Sequence, residues 1–292
     1  MDANIKQSSQ RNRGIDRLIR RITLIPMYAT VSMWAFFNIF VILWIAIASF
    51  KTNRELYANV WSLPTSLSLA NYIKAWSVVK MDQLFLNSLI VVSVSVVLTL
   101  IVAAPAAYIL TRVTFRGANF ITQFFTAGMG VPAAILFIPL FGMLAARGWV
   151  DSLPGLILVY VVLSIPFTIF LLTGFFSTLP AELEESAAID GASPLNVFIR
   201  IMLPLASPGL LTAAILNFVS TWNEYMIALI FTTSAKNRTI SLGLYSLQSS
   251  MQYTGDWVGM FAGVVIMMVP IMIIFVLLSR RMISGITMGA IK

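Results

Sequence analysis

The sequence predicts an all-α membrane protein with six transmembrane helices, and three observations carry that expectation. Charged residues make up only 10% of the 292, against 59% hydrophobic, with a mean hydropathy of +0.90. Six long intervals are almost free of charge, and lysine and arginine are unevenly shared among the segments that join them. A soluble domain carries about 25% charged residues. Too few are present here to coat a water-facing surface, so the apolar side chains face lipid. Backbone groups in lipid must bond to one another, and without strand-like alternation only helices achieve this.

The chain opens with Lys6, Arg11, Arg13, Arg17, Arg20 and Arg21, a basic segment before the first apolar run. That run, Ile22–Phe50, is longer than a signal-peptide core and lacks a small-residue cleavage signature, which reads as a retained helix. The others are Gln83–Thr111, Gly117–Ala146, Ser152–Ala181, Ile201–Asn223 (continuing past Glu224 to Ala235) and Trp257–Ser279. About 20 apolar residues cross a bilayer, so each interval is expected to hold one helix. The divisions are a basic N-terminus over 1–28, a six-helix domain over 29–279 and a tail over 280–292. Pro105, Pro132, Pro139, Pro166 and Pro270 lie in apolar runs and imply kinks. Gly255, Gly259 and Gly263 form a small-residue row expected to pack closely against another helix.

With the N-terminus inside, inner segments hold twelve lysines and arginines and outer segments seven, which places both termini in the cytoplasm. Because the net charge of +8 is concentrated in these topology signals, it does not point to nucleic acid. The chain has no cysteine and no histidine, which excludes disulfides, thiolate nucleophiles, Cys/His zinc sites and a Ser-His-Asp triad. No G-x-x-x-x-G-K-[ST] stretch is present to cradle a nucleotide triphosphate. The outer loops, Lys51–Gln83 and Thr232–Asp256, carry Tyr57, Trp61, Tyr72, Trp76, Tyr245 and Tyr253. These aromatics suit either interfacial anchoring or contact with an external partner.

Between the fourth and fifth helices, residues 178–206 predict a helical elbow. Pro180 suits a helix start, Glu182, Glu184 and Glu185 suit the positive end of a helix dipole, and Gly191 suits the stop. Ser193-Pro194 caps and opens a second short helix, expected to fade before Pro204. Each limb is too short to span a bilayer, and Glu182, Glu184, Glu185 and Asp190 keep the first limb out of lipid. Yet Ala187, Ala188, Ile189, Leu195, Phe198, Ile199 and Met202 need cover. Docking of the small-residue face in a partner's groove satisfies both demands. An amphipathic loop lying on the membrane is the alternative, although such loops usually display lysine and arginine.

In the fifth helix Asn217, Ser220, Thr221 and Glu224 fall at helical spacing on one polar stripe. A charge at membrane depth is kept only where protein or water receives it. The stripe therefore either lines a solute route, with Asn223 nearby and Trp222 or Tyr225 offering aromatic faces, or fixes helix packing.

Glu185-Ser186-Ala187, Gly191 four residues after Ala187, and Ile201, Leu203 and Pro204 beyond them resemble the EAA loop of ABC-importer permeases, with Ser186 at a position usually alanine. The extended run Ala187–Ala192, Asn87-Ser88, Ala107-Tyr108 with Arg112, Phe115-Arg116-Gly117, Trp222–Tyr225 and the tail Gly285–Lys292 resemble the carbohydrate-uptake permeases of the maltose-type class. The resemblance implies a type I importer permease fold whose EAA loop couples to an ATPase subunit through Glu184, Glu185, Ser186, Ala187, Asp190, Gly191, Ile201, Leu203 and Pro204. It implies a tail reaching the ATPase through Gly285, Gly289 and Lys292, and a non-catalytic chain binding no cofactor, ATP and Mg being used by the ATPase. The partners it implies are a second permease subunit, an ATPase dimer, an extracytoplasmic solute-binding protein and a carbohydrate. The location it implies is the cytoplasmic membrane of a bacterium or archaeon. An ion-driven secondary transporter would instead show paired repeats and broken helices in matching positions, which the sequence does not display. A scaffold or sensor would need an output module, and no soluble stretch is long enough to form one.

Overall fold

The computed structural model describes the backbone of residues 2–78 and 80–290, and side chains over that range except 2–23, 78, 250–253 and 278–290. In chain order the helices are α1 (Asp2–Ala48), α2 (Asn53–Ala58), α3 (Ala70–Val78), α4 (Met81–Arg112), α5 (Ala118–Gly128), α6 (Ala133–Ala145) and α7 (Leu153–Thr178). The elbow follows as α8 (Glu182–Ile189), α9 (Pro194–Val197), a π turn over Phe198–Met202, and α10 (Leu203–Leu205). Then come α11 (Ser207–Asn223), α12 (Met226–Phe231), a 3₁₀ turn over Ala235–Asn237, α13 (Ile240–Thr254) and α14 (Trp257–Ala290).

Four stretches are continuous, apolar and long enough to cross a bilayer: Leu24–Ala48, Met81–Arg112, Leu153–Thr178 and Trp257–Leu277. Two further candidates are broken, α5 with α6 and the 194–205 limb with α11, and counting each bent pair as one span brings the number to six. The Gly117–Ala146 interval is therefore not one straight helix, because its halves meet at 100°. Gly128 ends α5, and the break holds Gly130 and Pro132. Glycine weakens the helix there, and proline withholds an N–H and clashes with the turn before it. Pro105, Pro139, Pro166 and Pro270 lie inside unbroken helices, so only Pro132 marks a break. The fifth interval bends by 70° between α10 and α11 and breaks again at Glu224-Tyr225, so its helix does not continue past Glu224.

Small residues set the central packing. Ala103, Ala104 and Ala107 of α4 lie against Ile169, Leu172 and Phe176 of α7, with Ala213 of α11 joining them. Without side-chain bulk, backbones approach closely, and lipid-embedded helices gain most of their attraction this way. Gly209 of α11 shows how close: a Cβ there would sit 2.4 Å from the Phe175 ring of α7. By contrast, almost all of Leu24–Ala48 is left uncovered by the rest of the chain.

The end of the bundle away from the elbow is tied by polar clasps. Asp256, between α13 and α14, receives Lys74 Nζ at 2.7 Å and Asn53 Nδ2 at 2.8 Å. Asp151, before α7, accepts from the backbone N–H groups of Thr233 and Ser234 at 2.9 Å each, and from the Ser234 hydroxyl. Bonds to Ser234, chiefly its backbone N–H, hold the Asp151 carboxyl down from the ordinary 3.8 to about 2. Of the expected glycine row, only Gly263 serves helix packing, against Leu247 and Leu244. Gly255 has φ +68 and forms the turn before α14, while Gly259 leaves room for the Asp256 carboxylate.

Candidate functional site

The elbow is built by local chemistry. Helix α8 ends in a paired carbonyl cap: Ala192 N–H donates to Ala187 O at 2.9 Å and Gly191 N–H to Ala188 O at 3.1 Å. This cap needs Gly191 at φ +78, in the left-handed region, with open space where a Cβ would stand. The Ser193 hydroxyl then accepts from Asn196 N–H, and Pro194 takes the first helical position. The second limb does not fade before Pro204 but runs helically to Leu205. The π turn explains this, because its wider ring relieves the crowding a proline imposes on the preceding turn.

The elbow has two faces. Ala187, Val197, Met202 and Ala206 are buried against α4 and α7, and Tyr108 of α4 lies 5.6 Å from the Phe176 ring and 4.9 Å from the Phe198 ring. The opposite face leaves Ile189 87% exposed, Leu195 66% and Ile199 49%. Of the sequence-picked residues, Glu185, Ser186, Asp190, Gly191 and Pro204 are exposed, while Glu184, Ile201 and Leu203 are half-buried. Ala187 is 7% exposed, so its methyl fills the elbow's own interior rather than an outer groove.

One residue locks the elbow to the bundle. Arg112, the last residue of α4, reaches Glu184 Oε2 through Nε at 2.7 Å and Nη2 at 2.6 Å. Its Nη1 donates to Leu179 O at 3.0 Å, just past the end of α7. A single guanidinium therefore joins the ends of α4 and α7 to the first turn of α8. From the sequence Arg112 was legible only as a topology charge and a motif residue, since its partner lies 72 positions away.

The polar stripe of the fifth helix divides. Asn217 is 5% exposed and its Nδ2 donates to Thr168 Oγ1 of α7 at 2.8 Å, and Thr221 is also buried. Glu224 is drawn to α7 as well, accepting from the Tyr160 hydroxyl at 2.8 Å. Its other oxygen accepts from Ile227 N–H at 2.8 Å, so its carboxylate caps the N-terminus of α12. Asn217 and Glu224 are thus both bonded to α7 in this fold. Ser220, Asn223 and Tyr225 remain exposed. Trp222 offers no open face: it is 1% exposed, stacked on Phe218, with Nε1 donating to Met267 O at 3.2 Å. Tyr160 and Thr168 carry no local sequence signal for these roles. Gly285 and Gly289 fall within α14, where side chains are not described, and Lys292 lies outside the described residues.

Comparison with known proteins bears directly on this architecture. Residues 95–287 match the family described as binding-protein-dependent transport system inner membrane component. The diacetylchitobiose uptake system permease protein NgcG of Streptomyces coelicolor is 34% identical over 91% of this chain and 88% of its own length. The trehalose transport system permease protein SugB of Mycobacterium tuberculosis is 31% identical over 86% of this chain and 91% of its own length. A chain from a bacterial ABC transporter involved in alginate import shares the fold, with a TM-score of 0.79 at 22% identity, covering 89% of this chain and 96% of that one. Helical membrane architecture, an elbow at the EAA position and a family match spanning both lead to one placement: the chain belongs to the binding-protein-dependent transport system inner membrane component family, a multi-pass permease component of ABC transporters rather than an ion-driven carrier.

Proposed function

We propose that this chain is one of two permease subunits in an ATP-driven carbohydrate importer, and that the Glu182–Leu205 elbow couples it to a separate ATPase dimer. The observation that carries this reading is the elbow's divided surface. Its inner face is consumed by α4 and α7, and its outer face presents Ile189, Leu195 and Ile199 beside Glu185 and Asp190. Exposed aliphatics among carboxylates repel an anionic membrane surface but suit a protein groove with an apolar floor and a basic rim. Glu185, Ser186, Asp190, Gly191 and Pro204 contact the ATPase in this reading. Glu184, Ala187, Ile201 and Leu203 act from inside, by holding the elbow's shape. Carbohydrate as the substrate class is supported by the relatives, whose names give diacetylchitobiose and trehalose.

Closure of the ATPase dimer on ATP and Mg draws the elbow of this chain toward that of the second permease. Arg112 and the packed α4–α7 pair pass the motion on, and the far end opens to a sugar delivered by a solute-binding protein. The twelve-to-seven lysine and arginine bias supports a cytoplasmic side for the elbow and both termini. Gly285, Gly289 and Lys292 stand as a further ATPase contact in this scheme, and the host membrane is the cytoplasmic membrane of a bacterium or archaeon.

The test is co-purification of the ATPase from membranes together with ATP-dependent sugar uptake into vesicles. Ile189→Asp and Leu195→Asp are expected to lose the ATPase while the permease pair stays intact. Retention of the ATPase by both variants, or uptake that survives deletion of the ATPase, overturns the proposal.

A further inference from the structure

Tyr225 and Tyr245 stack with ring centroids 5.1 Å apart and planes at 22°, though 20 positions apart in sequence. Both rings remain open, 38% and 41% exposed. Their arrangement is fixed from behind. The helix break at Glu224 turns Tyr225 off the line of α11, and the Glu224 carboxylate pins that break to Ile227 N–H and the Tyr160 hydroxyl. Ser241 Oγ donates to Glu224 O at 2.6 Å, and Ser241 lies one helical turn before Tyr245 on α13. One buried hydrogen-bonded knot therefore sets the positions of both rings.

Polar groups border the rings. Ser220 and Asn223 on α11, and Gln248 and Ser249 on α13, are exposed from this chain. Hydrocarbon does not accept such a row of amides and hydroxyls, so the face meets water or protein rather than lipid. Ser220, Asn223, Tyr225, Tyr245 and Gln248 include no acidic or basic residue.

We infer that the Tyr225–Tyr245 stack, bordered by Asn223, Ser220 and Gln248, is a subsite for a neutral sugar ring on the translocation face, with Tyr245 as a specificity-determining residue. The inference rests on the carbohydrate reading above and adds to it a place and a charge class. A pyranose presents an apolar C–H face and a rim of hydroxyls. Aromatic rings with a polar tip match the first, and an amide with donor and acceptor matches the second. A phosphorylated or acidic solute would need a cation, and none belongs to this set.

The chain has no cysteine, so Tyr245→Cys creates a unique thiol. The experiment uses the assembled complex with its second permease and ATPase in membrane vesicles, supplied with liganded binding protein. A panel of radiolabelled trehalose, maltose and diacetylchitobiose first identifies a sugar carried by the wild type. If none is carried, the carbohydrate reading itself fails, whatever Tyr245 does. With a carried sugar in hand, Tyr225→Ala and Tyr245→Ala are expected to lower uptake about fivefold to tenfold in assembled complexes, the scale of a lost aromatic contact. Tyr245→Phe and Tyr245→Trp are expected to keep it. A membrane-impermeant maleimide should label Tyr245→Cys, and the sugar should protect it. Full uptake by Tyr245→Ala, labelling unaffected by sugar, or a thiol sealed by the partner permease at every stage would each overturn the subsite.

Discussion

Arg112 and Glu184 meet at 2.6 Å across the junction of the membrane bundle and the elbow, with side chains 12% and 21% exposed. Nε donates to Glu184 and Nη1 to Leu179 O, while Nη2 stands at ion-pair distance from Glu184 without a hydrogen bond. A planar fork can do this and an ammonium cannot. Arg112→Met leaves the half-buried Glu184 carboxylate without its cation and is expected to destabilise the junction by about 2–3 kcal/mol, somewhat below the range for fully buried pairs. Thermal unfolding in detergent reports this loss. Arg112→Lys is expected to recover only part of it, and the Arg112→Glu, Glu184→Arg exchange less than the wild-type level because Leu179 O loses its donor. If the pair transmits motion, ATP hydrolysis per sugar imported also rises in these variants. An unchanged ratio would confine the pair to a structural role.

Gly191 separates backbone strain from crowding. Nothing stands within 4 Å of a Cβ there, so substitution costs only the left-handed conformation at φ +78. Gly191→Ala is expected to destabilise the elbow by about 1–2 kcal/mol, and Gly191→Asn by less, since asparagine tolerates that region. Loss of ATPase co-purification should rank in the same order, Ala before Asn.

Gly209 is the opposite case, all crowding and no strain. A methyl there meets the Phe175 ring at 2.4 Å, inside the packed seam of α7 and α11. Gly209→Ala is expected to lower stability by about 1–3 kcal/mol, the usual range for overpacking. Adding Phe175→Leu should restore part of it in a thermal melt. Additive losses in the double variant would show that the two residues do not share this contact.

Glu224 and Tyr160 form a coupled pair with the start of α12. Tyr160→Phe leaves one carboxylate oxygen without its donor, and Glu224→Gln places an amide where Tyr160 or Ile227 needs an acceptor. The double variant is expected to cost less than the sum of the singles, by about 0.5–3 kcal/mol of coupling. Independent effects on the melting temperature would dissolve the pair.

Acid sensitivity at the far end follows from Asp151. Its carboxyl sits at about 2 in the folded chain against an ordinary 3.8. A depressed carboxylate contributes stability that is fully present above its unfolded value and disappears as pH falls through the folded one. The 233–237 loop should therefore hold its amide protection from neutral pH down to about 4 and lose it between there and about 2. In Asp151→Asn that loop is expected to exchange faster already at neutral pH, with no further acid step from this clasp. Hydrogen exchange of the Thr233 and Ser234 amides distinguishes the two.

Periodicity and punctuation in the chain settled a good deal. Scarce charge demanded lipid, apolar run lengths marked the membrane segments, four of them continuous helices, and Gly191, Ser193 and Pro194 marked the elbow's corner, since caps and turns are governed by residues adjacent in sequence. A local signal also misled where its neighbourhood relieved it: Pro204 continues a helix through a π turn. Which face of a helix is covered depends on partners tens of residues away. Ala187 turned inward, Trp222 sank into the core, and one polar stripe divided between α7 and an open face that Tyr245 joins. Pattern along a chain identifies which residues need cover or a polar partner, but only the assembled bundle decides what meets that need, because packing is a relation between surfaces and not a property of any one segment.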